Sequence, residues 1–240
     1  MRTDDVLEGS RTVDRVYTDI KKMVINYDIL PGQQIHIEDV SNSLTVSVTP
    51  VREALNRLLN EGFIRRKAGR GFYNRNIDII ELADLFHLRG SLAISTLHFI
   101  FRTDLRKNIM NIIEGCAGPS AAANGLQMPL CANMIRATGN NEMVRIYNNI
   151  IERISFVWDI YSSSQKGKAD IQNYRTNLKK HLLDGDLSSC IDVIDRNISI
   201  QISALDDVIR EGFGKLFSKR PPMHRQGPAP LQIHPQIYSI

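Results

Sequence analysis

Residues 35–73, IHIEDVSNSLTVSVTPVREALNRLLNEGFIRRKAGRGFY, constrain the fold of this chain more than any other stretch. Apolar spacing predicts a short helix over Ile37–Leu44, a tight turn at Thr45-Val46, and a second helix starting near Ser47. A hydroxyl from Ser47 or Thr49 is expected to cap that helix. Pro50 falls in its first turn, where a missing N–H costs little. Val51, Leu55, Leu58 and Leu59 share one face of it, and Arg52, Glu53, Asn56 and Arg57 the other. Glu61-Gly62 ends it. Phe63–Arg66 and Phe72-Tyr73 can then pair across a basic turn whose glycines permit a hairpin. Two helices around a tight turn followed by a basic hairpin form the pattern of a winged helix-turn-helix DNA reader.

These residues also carry a family resemblance. LPGQQI, then VSVTPVREALNRLLNEGFI, then GRGF, resemble the GntR family of bacterial transcription regulators, with TPVREAL at Thr49–Leu55 the most specific run. The resemblance covers about residues 11–75. It implies that Ser47, Val48, Thr49, Arg52 and Arg57 contact DNA from the second helix, and that Lys67, Gly69 and Arg70 contact it from the wing. Two positions depart from the family pattern. Val48 stands where an arginine is usual, and Glu38 where a basic residue is common. The operator is therefore expected to differ from the usual family site.

Charge placement agrees with a reader. Residues 47–75 hold seven basic against two acidic residues, whereas 77–209 hold thirteen basic and fifteen acidic. Concentrated positive charge is what phosphate binding requires; a merely solvated basic face is the alternative. Three widely spaced cysteines, Cys116, Cys131 and Cys190, form no disulfide framework or ligand pair. With no apolar leader and no membrane-length apolar run, a cytoplasmic location without membrane contact is expected.

The domain plan follows from composition. Residues 1–10 are read as a mobile arm, 11–75 as the reader with a first helix over 11–28, and 78–218 as an all-helical domain. The proline-rich 219–240 is expected to be extended or disordered. The fold class is mainly α: an N-terminal winged helix-turn-helix and a C-terminal all-α bundle. Expected bundle helices are Ile80–Arg102 (with Leu85, Leu88, Leu92 and Leu97 as core), Leu105–Cys116, Met128–Thr138, Glu142–Tyr161, Ile171–Leu183 and Leu187–Ile209. A polar break is expected over Ser162–Gly167.

The bundle resembles the FCD branch of the same family, through ATGNNEMVRIY at 137–147 and LDGDLSSCIDVIDRNI at 183–198. That branch implies a homodimer whose bundle binds a small organic acid, often beside a metal. In this register the metal-ligand positions fall on Gln127, Cys131, Arg175 and Asn197, which are not a convincing ligand set. No metal and no cofactor is expected. The six histidines show no pair at helical spacing. Arg89 matches the branch's pocket arginine. With Arg175 it can clamp an anion such as a carboxylate without metal, the alternative being surface ion pairs. The effector residues expected are thus Arg89, Cys131, Arg175 and Asn197. The chain is read as a dimeric repressor of a double-stranded DNA operator under a small anionic effector. Two alternatives are a DNA-binding dimer with a degenerate bundle and a small-molecule enzyme. No nucleophile–base pair, paired carboxylates or phosphate loop supports the enzyme.

Overall fold

The computed structural model describes residues 3–103, 105, 108, 111 and 129–218. The chain divides into two compact units, one ending at Asp78 and one beginning at Ile79. The first contains α1 (Thr3–Ile25), β1 (Gln34–Ile35), α2 (Ile37–Leu44), α3 (Val48–Asn60), β2 (Ile64–Lys67) and β3 (Gly71–Asn74). The second contains α4 (Ile79–Arg102), α5 (Pro129–Ala137), α6 (Asn141–Ser163), α7 (Gln165–Asp184), α8 (Leu187–Ser203) and α9 (Leu205–Ser218). None of these helices is long and apolar enough to cross a membrane.

In the first unit, α1 and α3 bury facing stripes. Val16, Ile20 and Val24 recur every four residues on α1; Val51, Leu55 and Leu58 recur at four and three on α3. These are the spacings that place side chains on one helical face. Ile35, Phe63, Ile64 and Phe72 close the core from the sheet side. The sheet has order β1-β3-β2 and is antiparallel throughout, with Lys67 opposite Gly71 at the hairpin end. β1, two residues long, was not foreseen; its pairing of Gln34 and Ile35 with Tyr73 and Phe72 decides it.

The α2–α3 turn puts Thr45 in the left-handed region, φ 54 and ψ 50. A β-branched residue is strained there by about 1–2 kcal/mol. The turn is held by buried Ser41, whose carbonyl accepts from Val46 N at 3.1 Å and whose Oγ donates to Val46 O at 2.6 Å. Several expected boundaries move. Residues from Thr3 onward continue α1, so the arm expected over 1–10 is helical from there; no proline interrupts it. α1 ends at Ile25, three residues early, where Tyr27 turns to φ 56.

In the second unit α4 is central, packing against α5, α6, α8 and α9. Leu82, Leu85, Phe86, Ala93 and Leu97 are buried, whereas Leu88, expected in the core, is 45% exposed on the opposite face. Two joints match their sequence signals. Gly139 at φ 70 precedes Asn140, whose side chain caps α6 by accepting from Met143 N at 3.0 Å. Gly185 at φ 74 ends α7, and Asp186 caps α8 through Ser189 N at 3.0 Å. Both follow the rule of glycine at the end and a short polar cap at the start.

Two joints differ from expectation. The break read over Ser162–Gly167 shrinks to Ser164 alone. Ser164 Oγ donates to Tyr161 O at 2.7 Å and accepts from Gly167 N at 2.9 Å, so one residue both ends α6 and caps α7. The single helix read over 187–209 is two, divided at Ala204. There is no proline or glycine at that point. Buried Ala204 and Leu205 pin the joint, and Asp206 and Asp207 in the first turn of α9 are the start signal that apolar periodicity concealed. The helix expected over Leu105–Cys116, the loop after Gly118 and the proline-rich tail lie almost wholly outside the described residues.

The α6–α7 corner is tight. A Cβ on Gly167 would lie 1.9 Å from Tyr161 O, a backbone atom that cannot swing aside. Gly167→Ala is expected to destabilise the second unit by about 1–3 kcal/mol, as overpacking does, visible as a lowered thermal midpoint. An unchanged midpoint would count against the single-residue corner.

Candidate nucleic-acid interface and bundle interior

One face of α3 is consumed by packing, and this determines what the other face presents. Ser47, Val48 and Thr49 open the helix on the surface, with Val48 37% exposed. Ser47 is the N-cap in extended backbone, but its side chain makes no capping bond, contrary to the capping expected of it. Its hydroxyl and the first helical N–H groups therefore face solvent, the arrangement that receives a phosphate. Arg52 is exposed one turn further on and is engaged in no hydrogen bond or ion pair among the described residues.

Arg52 lines a groove of about 370 Å³ with Gln34, His36, Glu38, Asn56 and Arg66, between the start of α2, the exposed side of α3 and the hairpin. The hairpin turn is closed by Arg70 N donating to Lys67 O at 3.0 Å, with Gly69 at φ 68 in its third position. Only glycine takes that conformation without strain. Lys67 lies over the Tyr73 ring at 4.4 Å and Arg66 over Phe72 at 5.6 Å. Gln34 Nε2 donates to Arg70 O at 2.7 Å and ties the turn to β1. The wing is thus a stiff, exposed cationic ridge.

Arg57, expected among the DNA contacts, has another occupation. Its guanidinium bonds Asp14 at 3.0 Å and Glu61 at 3.2 Å and stacks 3.9 Å from the Tyr17 ring centroid. The Tyr17 hydroxyl donates to Glu61, and Lys21 approaches both Glu61 and the Phe63 ring. Arg57 is a cross-brace between α1 and α3, with its charge met by two carboxylates. It belongs to the polar face by helical spacing, but spacing does not say which neighbour it meets.

The second unit buries an arginine. Arg89, on α4, is 2% exposed, donates to Gln201 Oε1, and lies 4.7 Å and 5.9 Å from the Phe86 and Trp158 ring centroids. Burial lowers its pKa from the ordinary value; the groups opposing this are Tyr147, Cys131, Tyr174 and Tyr161. Gln201 Nε2 in turn donates to Asn197 Oδ1 at 2.8 Å. Cys131 Sγ and Tyr174 Oη are 3.0 Å apart. Burial pushes the Cys131 thiol up, so it is no ready thiolate. Gln201 thus joins Arg89 to Asn197, and the Cys131–Tyr174 pair lies near enough to act on the Arg89 charge. Arg175 does not visibly join them: it is half-buried on α7 and makes no bond to the cluster among the described residues. Gln127 lies outside the described residues.

The sequence reading missed Tyr147, Trp158, Tyr174 and Gln201. Aromatic residues on an apolar stripe read as ordinary core. Gln201 was findable, because Asn197 and Gln201 put two amides one turn apart on an otherwise apolar helical face. Among the described residues the Tyr147 hydroxyl and the Trp158 indole N–H are buried and unpartnered, each at a cost of about 1–3 kcal/mol when left unmet. As metal ligands the set fits poorly. A guanidinium repels a cation, an amide is weak, and no three His, Cys, Asp or Glu side chains converge among the described residues.

Comparison with known proteins finds a family match inside the first unit. Residues 12–73 match the profile described as "Bacterial regulatory proteins, gntR family". The chain is 26% identical over 204 residues to the Nta operon transcriptional regulator of Aminobacter aminovorans, covering 82% of this chain and 96% of that one. Among solved structures, a putative GntR transcriptional regulator from Rhodococcus sp. RHA1 superposes with a TM-score of 0.62 at 15% identity, over 82% of this chain and 97% of that one. E. coli McbR/YncC superposes with a TM-score of 0.56 at 16% identity, again over 82% and 97%. At such identities the superpositions establish a shared fold.

The brace makes Arg57 separable from Arg52. Arg57→Ala is expected to cost the first unit about 1–2 kcal/mol, from a ring contact and two partly exposed ion pairs. Arg52→Ala should leave its thermal midpoint within error. Denaturation of the two variants checks this; equal effects would contradict the assignment.

Proposed function

We propose that this chain is a DNA-binding transcription regulator with a GntR-type reader, in which α3 enters the major groove and the β2–β3 hairpin lies along the adjoining backbone. What carries this reading is the exposed start of α3, with an unengaged Arg52 beside a cationic hairpin. Ser47 and Thr49 meet phosphate with hydroxyl and backbone N–H groups. Arg52 spans guanine O6 and N7, and Val48 meets a thymine methyl. Lys67, Gly69 and Arg70 contact backbone, glycine allowing close approach. Arg57 supports the reader without touching DNA.

We also propose that the second unit belongs to the FCD branch, pairs two copies, and binds a small anionic effector inside the bundle beside Arg89, Cys131 and Asn197, with Arg175 at its edge. Two readers on a two-fold axis suit a near-palindromic operator. The effector acts by binding one arrangement of the dimer better than another, and release from an operator makes the protein a repressor. Support comes from the buried charge of Arg89 and the unmet Tyr147 and Trp158 donors, which an anion with further acceptor atoms would satisfy. A second reading, a bundle that only pairs, draws on Asn197 and Gln201 already bonding each other.

Four measurements test these readings. Arg52→Ala is expected to lose about 1–3 kcal/mol of binding to a selected operator, with little change on random DNA. Arg70→Ala should weaken both and reduce the salt slope by roughly one phosphate contact; an unchanged slope would remove the wing from the backbone. Light scattering of the full chain at micromolar concentration should give a dimer, and a monomer would end the two-fold operator. Thermal melts across a carboxylate panel should find a stabilising ligand that also releases DNA and whose effect disappears in Arg89→Ala. Failure of every carboxylate would favour the pairing-only bundle.

A further inference from the structure

We propose that Glu38 reads a cytosine in the major groove and is a specificity-determining residue of this reader. The inference rests on the reading that α3 docks in that groove, and adds a contact to it.

The observation is a carboxylate where a polyanion is to be received. Glu38, in the first turn of α2, is exposed and lines the same groove as Arg52, Asn56 and Arg66; it is the one carboxylate among the residues lining that groove. The carboxylates elsewhere on this unit that meet a cation are occupied: Glu61 and Asp14 hold Arg57 on the α1 side. Glu38 holds nothing. Neither it nor Arg52 makes a hydrogen bond or ion pair among the described residues, although they share one groove. Two opposite charges that face one space without pairing are both available to a third body.

Against phosphate, Glu38 is unfavourable. It repels the backbone and forgoes the counterion release that a basic residue would add. Its cost is offset only where it meets a hydrogen-bond donor, and the donors on major-groove base edges are cytosine N4 and adenine N6. The two differ in what lies beside the amine. Adenine presents the N7 lone pair next to N6, which repels a carboxylate. Cytosine presents only C5–H next to N4. Glu38 therefore favours cytosine. The pairing with Arg52 is consistent, since a guanidinium takes the O6 and N7 acceptors of guanine. One groove thus carries complements to both kinds of edge that G·C pairs display.

The competing role is structural: an acidic residue in the first turn stabilises a helix through its dipole. That role affects folding and not base preference, so the two are separable. Full-length protein is used to select a preferred duplex from random DNA. Binding is then measured to a set of duplexes carrying each of the four base pairs at every half-site position. With wild-type protein, one position in each half-site should prefer cytosine by roughly ten- to a hundredfold. In Glu38→Gln that preference should fall to a few-fold at most, the other positions should keep theirs, and binding to random duplex should tighten. In Glu38→Arg the same position should shift toward guanine. Thermal melts confirm that both variants are folded. A Glu38→Gln profile superimposable on wild type, with only the melt altered, overturns the proposal in favour of the dipole role. Loss of cytosine preference in Glu38→Gln while Arg52→Ala keeps the wild-type profile leaves Glu38 a reader and removes Arg52. Wild-type protein that prefers no duplex overturns both the docking and the contact.

Discussion

Everything the reader presents to solvent depends on the burial of one face of α3 against α1. Val51, Leu55 and Leu58 meet Val16, Ile20 and Val24, and each such side chain contributes about 1.5–3 kcal/mol when fully buried. That interface permits one rotation of α3 about its axis. Ser47, Val48, Thr49 and Arg52 are outside as a consequence. The Arg57–Asp14–Glu61 brace with Tyr17 works at the rim of the same interface. It adds direction more than energy, since partly exposed ion pairs are individually weak. The strain of Thr45 is tolerated for the same reason. Ser41 and the packed helices over-determine the turn, so its conformation persists despite a poor residue for it.

The second unit uses a different logic. Its central helix, α4, is surrounded, and at Gly90 the neighbouring helix approaches so closely that a Cβ would lie 2.9 Å from Ile198 Cγ1. Beside that close contact stands Arg89, a charge in a place where charge is disfavoured. The Phe86 and Trp158 ring faces and the Gln201 amide meet it, with the phenols of Tyr147, Tyr161 and Tyr174 near enough to act on its charge. A guanidinium that exists only to stabilise a bundle is replaceable by an apolar side chain at little loss. The burial of Arg89 beside the unmet Tyr147 and Trp158 hydrogen-bonding groups is the observation on which the proposed effector site rests. A fixed guanidinium charge there also disfavours a cation beside it.

In the first unit one face of α3 is spent on folding and the other, to which the proposed DNA contacts belong, is left exposed. The bundle is organised so that a polar cluster lies inside an apolar shell. The first arrangement leaves the candidate DNA-contacting residues on the surface, where their chemistry depends little on their neighbours. In the second, the chemistry of the interior depends on which side chains the helices bring together.

This difference separates what was legible in the sequence from what was not. Local rules sufficed for α2, the turn, α3 and the hairpin, because their signals are short-range: apolar spacing, Pro50 in a first turn, Gly69 where φ must be positive. They sufficed also for the joints at Gly139-Asn140 and Gly185-Asp186, where the capping residues stand beside the helices they end. Arg89 was singled out only through the family resemblance, and its burial is a finding of the structure. Tertiary structure alone decided the rest. It turned Arg57 toward Asp14 and Glu61, and it split one apolar stripe at Ala204. It collapsed a polar break to Ser164, and it brought Tyr147, Trp158, Tyr174 and Gln201 around one guanidinium. Periodicity reports which face of a helix is apolar. It carries no record of which other helix, dozens of residues away, that face will meet, and the contents of a bundle interior are set by those meetings.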